Sequence, residues 1–105
     1  MPAWLARAVA SLDDPRVAAR GVSAFIAACA RDSATVCRAC RQHLGCRPND
    51  LVEGRRLDHA ARLLRCTAAP PPAIAATCGY ASLSHFHRSF RRRFATTPAA
   101  YRLTG

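Results

Sequence analysis

The chain has 105 residues, enough for one small domain or for two half-size units on a shared framework. Half of the residues are apolar and 21% are charged, a globular composition, but sixteen arginines and no lysine stand against six acids for a net charge of +10. No apolar run approaches the roughly eighteen residues needed to cross a bilayer, and Met1–Ala10 is too short, and too soon followed by Asp13-Asp14, to read as a signal or transit peptide. Secreted and membrane-spanning classes are therefore not expected, and a cytoplasmic location is.

The elements follow in chain order. Trp4 to Leu12 is expected to be a first helix, with Pro2 near its start and Asp13-Asp14-Pro15 past its end. Pro15–Gly21 reads as a connector. A short helix is predicted from Ser23, in the role of N-cap, to Cys29. Asp32 is expected to cap a longer helix through Leu44, with Val36, Ala39, Cys40 and Leu44 on one stripe and Gly45 as its stop. Pro48 opens the next helix, where proline is tolerated, and Leu57, Ala60, Ala61 and Leu64 keep its apolar stripe as far as Leu64. Cys66–Pro72 reads as a loop, Pro72–Cys78 as a short helix and Gly79 as a turn. Ser82 caps another long helix in which Phe86, Phe90 and Phe94 recur every fourth residue. Thr97-Pro98 starts a last short helix through Arg102. The fold class expected is all-α, with seven helices.

The chain also repeats itself. Shifted by fifty residues, Val36 falls on Phe86, Arg38 on Arg88, Cys40 on Phe90, Leu44 on Phe94, Pro48 on Pro98 and Leu51 on Tyr101. Upstream the shift is forty-nine, which sets Ala30 on Gly79. Each copy is a short helix, a tight turn, a long helix and a proline-started helix: a helix-turn-helix, twice. The expected organisation is a single domain, residues 1–105, made of a first unit (1–47), a linker helix (48–65) and a second unit (66–105).

In a helix-turn-helix the second helix enters the DNA major groove. With the phenylalanine stripe turned inward, the second unit offers Leu83, Ser84, His85, Arg88, Arg91 and Arg92, with His87 at the edge of that face. The first unit, with Val36 and Cys40 inward, offers Ser33, Ala34, Thr35, Cys37, Arg38, Arg41 and Gln42. Arginine can contact guanine O6 and N7 bidentately, serine and histidine suit bases or phosphates, and the later arginines suit phosphate. The last acid is Asp58, and residues 59–105 hold seven arginines without a carboxylate, so acid partners for these arginines are not expected. Arg91, Arg92 and Arg93 cannot all point one way, and at least one is expected to be ordinary surface. The Pro48–Leu64 helix would be about 25 Å of rigid spacer, a length suited to reading two successive major grooves.

A family emerges from the motifs. Arg56-Leu57-Asp58-His59-Ala60-Ala61-Arg62-Leu63-Leu64 resembles the linker signature "RLxxAxxLL". Ile74 to Phe90 looks like "IAxxxGFxxxSxFxRxF", and Thr97-Pro98-Ala99-Ala100-Tyr101-Arg102 like "TPxxYR". Together, over about residues 4–102, these resemble the DNA-binding domain of AraC/XylS-type bacterial transcription regulators. The resemblance implies a two-unit domain that binds double-stranded promoter DNA and regulates transcription, partly through contact with RNA polymerase; no cofactor is expected, and with His85 and His87 facing different directions and no acid–base pair on the second unit, no enzymatic activity is expected either. Members usually join it to an effector-sensing domain, which this chain does not include; a cut-out domain and a stand-alone short member both fit. Ala30 and Ala95 occupy positions where the family usually has glycine, and Pro71 one where isoleucine is usual, so the helix before Gly79 is expected to start late or to pack loosely.

A rival reading starts from the six cysteines. Nothing directs export, so all six are expected to be reduced, with Cys29, Cys40, Cys66 and Cys78 as small apolar fillers. Cys37-x-x-Cys40, with Cys29, Cys46 and His43 not far away in sequence, is the alternative: a cysteine/zinc-dependent DNA alkylation-repair or metal-sensing module. Its spacing matches no common zinc module, Cys40 is needed by the core stripe, and no metal is expected. Every aromatic falls on a core stripe or a helix entry, which disfavours RNA reading.

Overall fold

Helix starts and stops in this chain are set by a few capping residues. A computed structural model describes residues 1–104, which contain eight α-helices and no strand. These are α1 (Ala3–Ser11), α2 (Pro15–Ala19), α3 (Val22–Cys29), α4 (Ser33–Leu44), α5 (Pro48–Cys66), α6 (Pro71–Thr77), α7 (Leu83–Phe94) and α8 (Pro98–Thr104). Gly105, the last residue of the expected second unit, lies outside the described residues.

The all-α class stands, with eight helices where seven were expected. The added one, α2, occupies most of the supposed connector. The Asp14 carboxylate accepts the backbone N–H of Arg16 at 2.9 Å, and Pro15 fills the first turn, where a missing N–H costs nothing. The Arg16 guanidinium lies 3.2 Å from the same carboxylate and holds it below its usual range. Other boundaries move as well. The N-cap of α3 is Gly21, at φ +92°, rather than Ser23, and neither α3 nor α4 receives a side-chain capping hydrogen bond. Pro71 starts α6 instead of delaying it, because proline fits the first turn and Pro70 is already extended at ψ 150°. Cys66 ends α5 exposed to solvent, not as a core filler.

The helices form two units, residues 1–55 and residues from 56 onward. In the first, Leu5, Ala8 and Leu12 from the α1 region, Ala18 from α2, Phe25 and Cys29 from α3, Val36, Ala39 and Cys40 from α4 and Val52 from α5 make the core. Arg55 reaches Asp13 at 3.0 Å, and the Arg31 guanidinium sits 5.2 Å from the Trp4 ring. In the second, Leu57, Ala60, Ala61 and Leu64 of α5 pack with Ile74, Ala75, Cys78, Tyr80, Phe86 and Phe90. Aromatic rings carry this packing. Phe90 lies 5.7 Å from Phe86, 4.6 Å from Phe94 and 5.5 Å from Tyr101, centroid to centroid.

The Arg102 guanidinium closes the second unit. It donates to the carbonyls of Leu64 (3.0 Å), Thr67 (3.2 Å) and Ala69 (2.5 Å), at the open end of α5 and the start of the loop after it. The Leu64 carbonyl is one that a helix end leaves without an intrahelical donor, and α5 ends with no glycine to turn it inward.

Candidate nucleic-acid interface

The two long second helices, α4 and α7, are built alike. Each has twelve residues and ends on a left-handed residue, Gly45 (φ +69°) for α4 and Ala95 (φ +59°) for α7. At the N-terminus of α7 the Ser82 hydroxyl accepts the His85 backbone N–H at 3.2 Å, as its capping role predicts. Val36 and Cys40 in α4, and Phe86 and Phe90 in α7, are fully buried, which turns the opposite faces outward. Leu44 and Phe94 complete the two stripes, half-buried.

On α7, Leu83, Ser84, His85, His87, Arg88, Arg91 and Arg92 are all exposed. His85 stacks edge-on against the Tyr80 ring at 5.3 Å, which restrains it beside Arg88. On α4, Ser33, Ala34, Cys37, Arg38, Arg41 and Gln42 are exposed, while Thr35 is half-buried. Each helix thus gathers its expected residues on its own outer surface. Among the described residues Arg88, Arg91 and Arg92 take part in no ion pair.

The expectation of arginines without acid partners fails at two places. Arg93 donates to Asp58 from Nε at 3.0 Å and from Nη2 at 2.8 and 3.1 Å, across a sequence separation of 35. It is therefore held against α5, and the arginine run splits into two outward members and one structural one. On α4, the Asp32 carboxylate accepts the Thr35 hydroxyl, and Thr35 Oγ1 accepts from Arg38 Nη2 at 3.4 Å. Arg38 has an acid nearby after all. No sequence pattern pointed to Asp58, but the spacing of Asp32, Thr35 and Arg38 on one helix face was open to reading.

The thiols do not assemble into a site. All six cysteines are free; Cys29, Cys40 and Cys78 are buried, Cys46 is half-buried, and Cys37 and Cys66 are exposed. Burial pushes the Cys29 and Cys78 thiols up, and burial followed by the neighbouring thiols Cys29, Cys46 and Cys37 pushes Cys40 up to about 11. Among the described residues no three His, Cys, Asp or Glu side chains are grouped to hold a metal ion, and no helix is long and apolar enough to cross a membrane.

The comparisons with known proteins bear on these two faces. A family described as "Helix-turn-helix domain" matches residues 26–104, which contain both α4 and α7. The chain belongs to this AraC-type helix-turn-helix family. Among relatives, it is 42% identical over 62 residues to the HTH-type transcriptional regulator CdhR of Pseudomonas aeruginosa, covering 59% of this chain and 18% of CdhR. The chain spans about a fifth of the length of the first curated relatives it matches. Among solved structures, it superimposes on the DNA-binding domain of AdpA in complex with a target DNA with a TM-score of 0.85 and 28% identity, covering 95% of this chain and 90% of that one. An AraC-type transcriptional regulator from Chromobacterium violaceum gives a TM-score of 0.84 at 25% identity, covering 95% and 89%. The AraC-type fold thus extends across both units, including the α1 region that the family match leaves out.

Proposed function

We propose that this AraC-type domain binds double-stranded DNA sequence-specifically and regulates transcription, with α4 and α7 each entering a major groove. The observation that carries the reading is the outer face of α7. Three arginines, Arg88, Arg91 and Arg92, without an acid partner among the described residues stand on a helix whose other face is locked by buried phenylalanines. Such a face has its donors ready and its backbone fixed, the condition for reading base edges rather than only coating phosphates. The likeness to AdpA, whose solved structure includes a target DNA, supports the assignment. Base contacts are assigned to Ser33, Ala34, Cys37 and Arg38 on α4, with Thr35 beside Arg38 on that face, and to Leu83, Ser84, His85, His87 and Arg88 on α7. Arg41, Gln42, Arg91 and Arg92 are assigned to phosphate.

In this reading α5 is the linker between two readers, residues 1–47 and 66–105, and the activity is non-enzymatic. RNA polymerase and an effector-sensing domain are the further partners that AraC-type regulation would involve. The test is selection of bound sequences from random duplex DNA by the whole chain. Two enriched motifs about ten base pairs apart are expected, with a log–log salt slope near −5 to −6 for about six phosphate contacts. Recovery of no motif, or an affinity that barely changes with salt, would overturn the proposal.

A further inference from the structure

The helix-turn-helix units differ in what stands behind their matching arginines. In the first, Asp32 at the N-cap of α4, Thr35 one turn on and Arg38 one turn further form a connected chain on one side of the helix. Its hydrogen bonds have only one direction. A carboxylate accepts and a guanidinium donates, so the Thr35 hydroxyl must donate its hydrogen bond to Asp32 and accept one from Arg38. In the second unit the fifty-residue equivalents are Ser82, His85 and Arg88. There the Ser82 hydroxyl is engaged by the His85 backbone, and no acid lies in the series.

We infer that Asp32 and Thr35 are positioning residues that commit Arg38 to a base edge and deny it the phosphate backbone. This rests on the base-reading assignment of α4 made above. An exposed arginine near DNA has two competing partners, guanine in the groove and the phosphates at its rim. Thr35 holds one Nη2–H, and the four remaining N–H donors of the guanidinium are enough for the bidentate pair with O6 and N7. Asp32 contributes a fixed negative charge on the same face. That charge attracts Arg38 inward and repels any phosphate the side chain would swing towards, so the off-target contact is weakened by repulsion. The Thr35 hydrogen bond also holds the Asp32 carboxyl below its usual range, which keeps that charge in place at ordinary pH. Preorganisation of Arg38 reduces the ordering cost of the base contact, and selectivity rises without added contact area.

The experiment uses the whole chain and a duplex chosen by the selection described above. Dissociation constants are measured for that duplex, for a version with guanine replaced by adenine at the Arg38 half-site, and for scrambled DNA. Thr35→Val removes both hydrogen bonds at nearly constant shape and should lower the guanine preference about fivefold to tenfold at that position alone. Thr35→Ser should restore it. Asp32→Asn keeps a good N-cap while removing the charge; it should tighten binding to scrambled DNA about threefold and also lower the guanine preference. A purely structural role would instead move thermal stability and weaken all three duplexes together. Unchanged guanine preference in both Thr35→Val and Asp32→Asn overturns the inference. If Arg38→Ala relaxes no position in a domain that still selects a motif, the base-reading role of Arg38 itself falls, and the relay falls with it.

Discussion

Where the second unit packs Phe86, Phe90 and Phe94, the first packs Val36, Cys40 and Leu44, fifty residues earlier and with the same sequence of burial. The backbones agree while the side-chain volumes do not. The second unit fills its interior with stacked rings, Tyr80 and Tyr101 included. The first makes up the missing volume from α1 and α2, which have no counterpart in the second, and from a larger residue on α3, the counterpart of α6. Leu5 and Leu12 from the α1 region, Ala18 from α2 and a bulky Phe25 on α3 complete it. One scaffold therefore accepts an aromatic or an aliphatic-and-thiol filling, provided that the volume is supplied from somewhere.

The largest test of that contrast is in the two cores. Phe90→Ala removes a fully buried ring with three ring neighbours and should cost about 3–5 kcal/mol, whereas Cys40→Ala at the matching position should cost only about 1 kcal/mol. Denaturant unfolding of both variants checks it, and equal losses would mean that the first unit depends on α4 as heavily as the second does on α7. Next in size are the matching arginines. Arg88→Ala and Arg38→Ala should each cost about 1–3 kcal/mol of binding to a selected operator and relax preference at one half-site. Arg88→Ala should be the more damaging, because Ser84, His85 and His87 stand beside Arg88 while Ala34, Thr35 and Cys37 stand near Arg38. A loss shared equally with scrambled DNA would assign the arginine to phosphate.

The units also exchange glycine for alanine in a crossed pattern. Left-handed positions close the turn before each long helix and the end of that helix. The first unit has Ala30 (φ +54°) and then Gly45 (φ +69°); the second has Gly79 (φ +94°) and then Ala95 (φ +59°). Alanine is strained there and glycine is not. Ala30→Gly and Ala95→Gly should each raise stability by roughly 1 kcal/mol, read as an increase in Tm. Gly45→Ala should lower it by a similar amount through φ alone, because a Cβ there meets nothing within 4 Å. The smallest expected effect lies at Ser89. Its hydroxyl is buried without a hydrogen-bond partner, where the first unit has Ala39. Ser89→Ala should stabilise the second unit by about 0.5–1 kcal/mol, since an unsatisfied buried donor is removed and a better helix former enters. A loss of stability would instead show that Ser89 has found a partner in solution.

Much of this was legible in the sequence because the signals are local or periodic. The Phe86/Phe90/Phe94 stripe, the Ser82 cap, the Gly45 stop and the fifty-residue repeat all lie within a few residues or recur at a fixed shift. What escaped notice has identifiable causes. Asp14-Pro15 both ends one helix and begins another, and reading it only as a stop concealed α2. Gly21 and Ser23 competed for one N-cap, and the residue tolerant of positive φ prevailed over the one with a capping hydroxyl. Cys66 continues an alanine–leucine pattern but sits where α5 runs past its core. Arg93 and Asp58 are 35 residues apart, and charge counting along the chain cannot foresee a pair that only folding brings together. The outward-facing residues of α4 and α7 were legible for the opposite reason: once a stripe is fixed inward, helical geometry decides what faces out.

The grip of Arg102 on the open end of α5 has a consequence for how the chain comes into being. Leu64, Thr67 and Ala69 precede their donor by 38, 35 and 33 residues. On the ribosome, α5 and the start of the following loop emerge well before the guanidinium that holds their carbonyls. The first unit has all of its core residues by Val52 and can consolidate during that interval. The second must wait for α8, with its ring at Tyr101 and its charge at Arg102, to close over strands of backbone that were synthesised long before. Synthesis thus orders the two units in time, and the unit with the denser arginine face closes after the first.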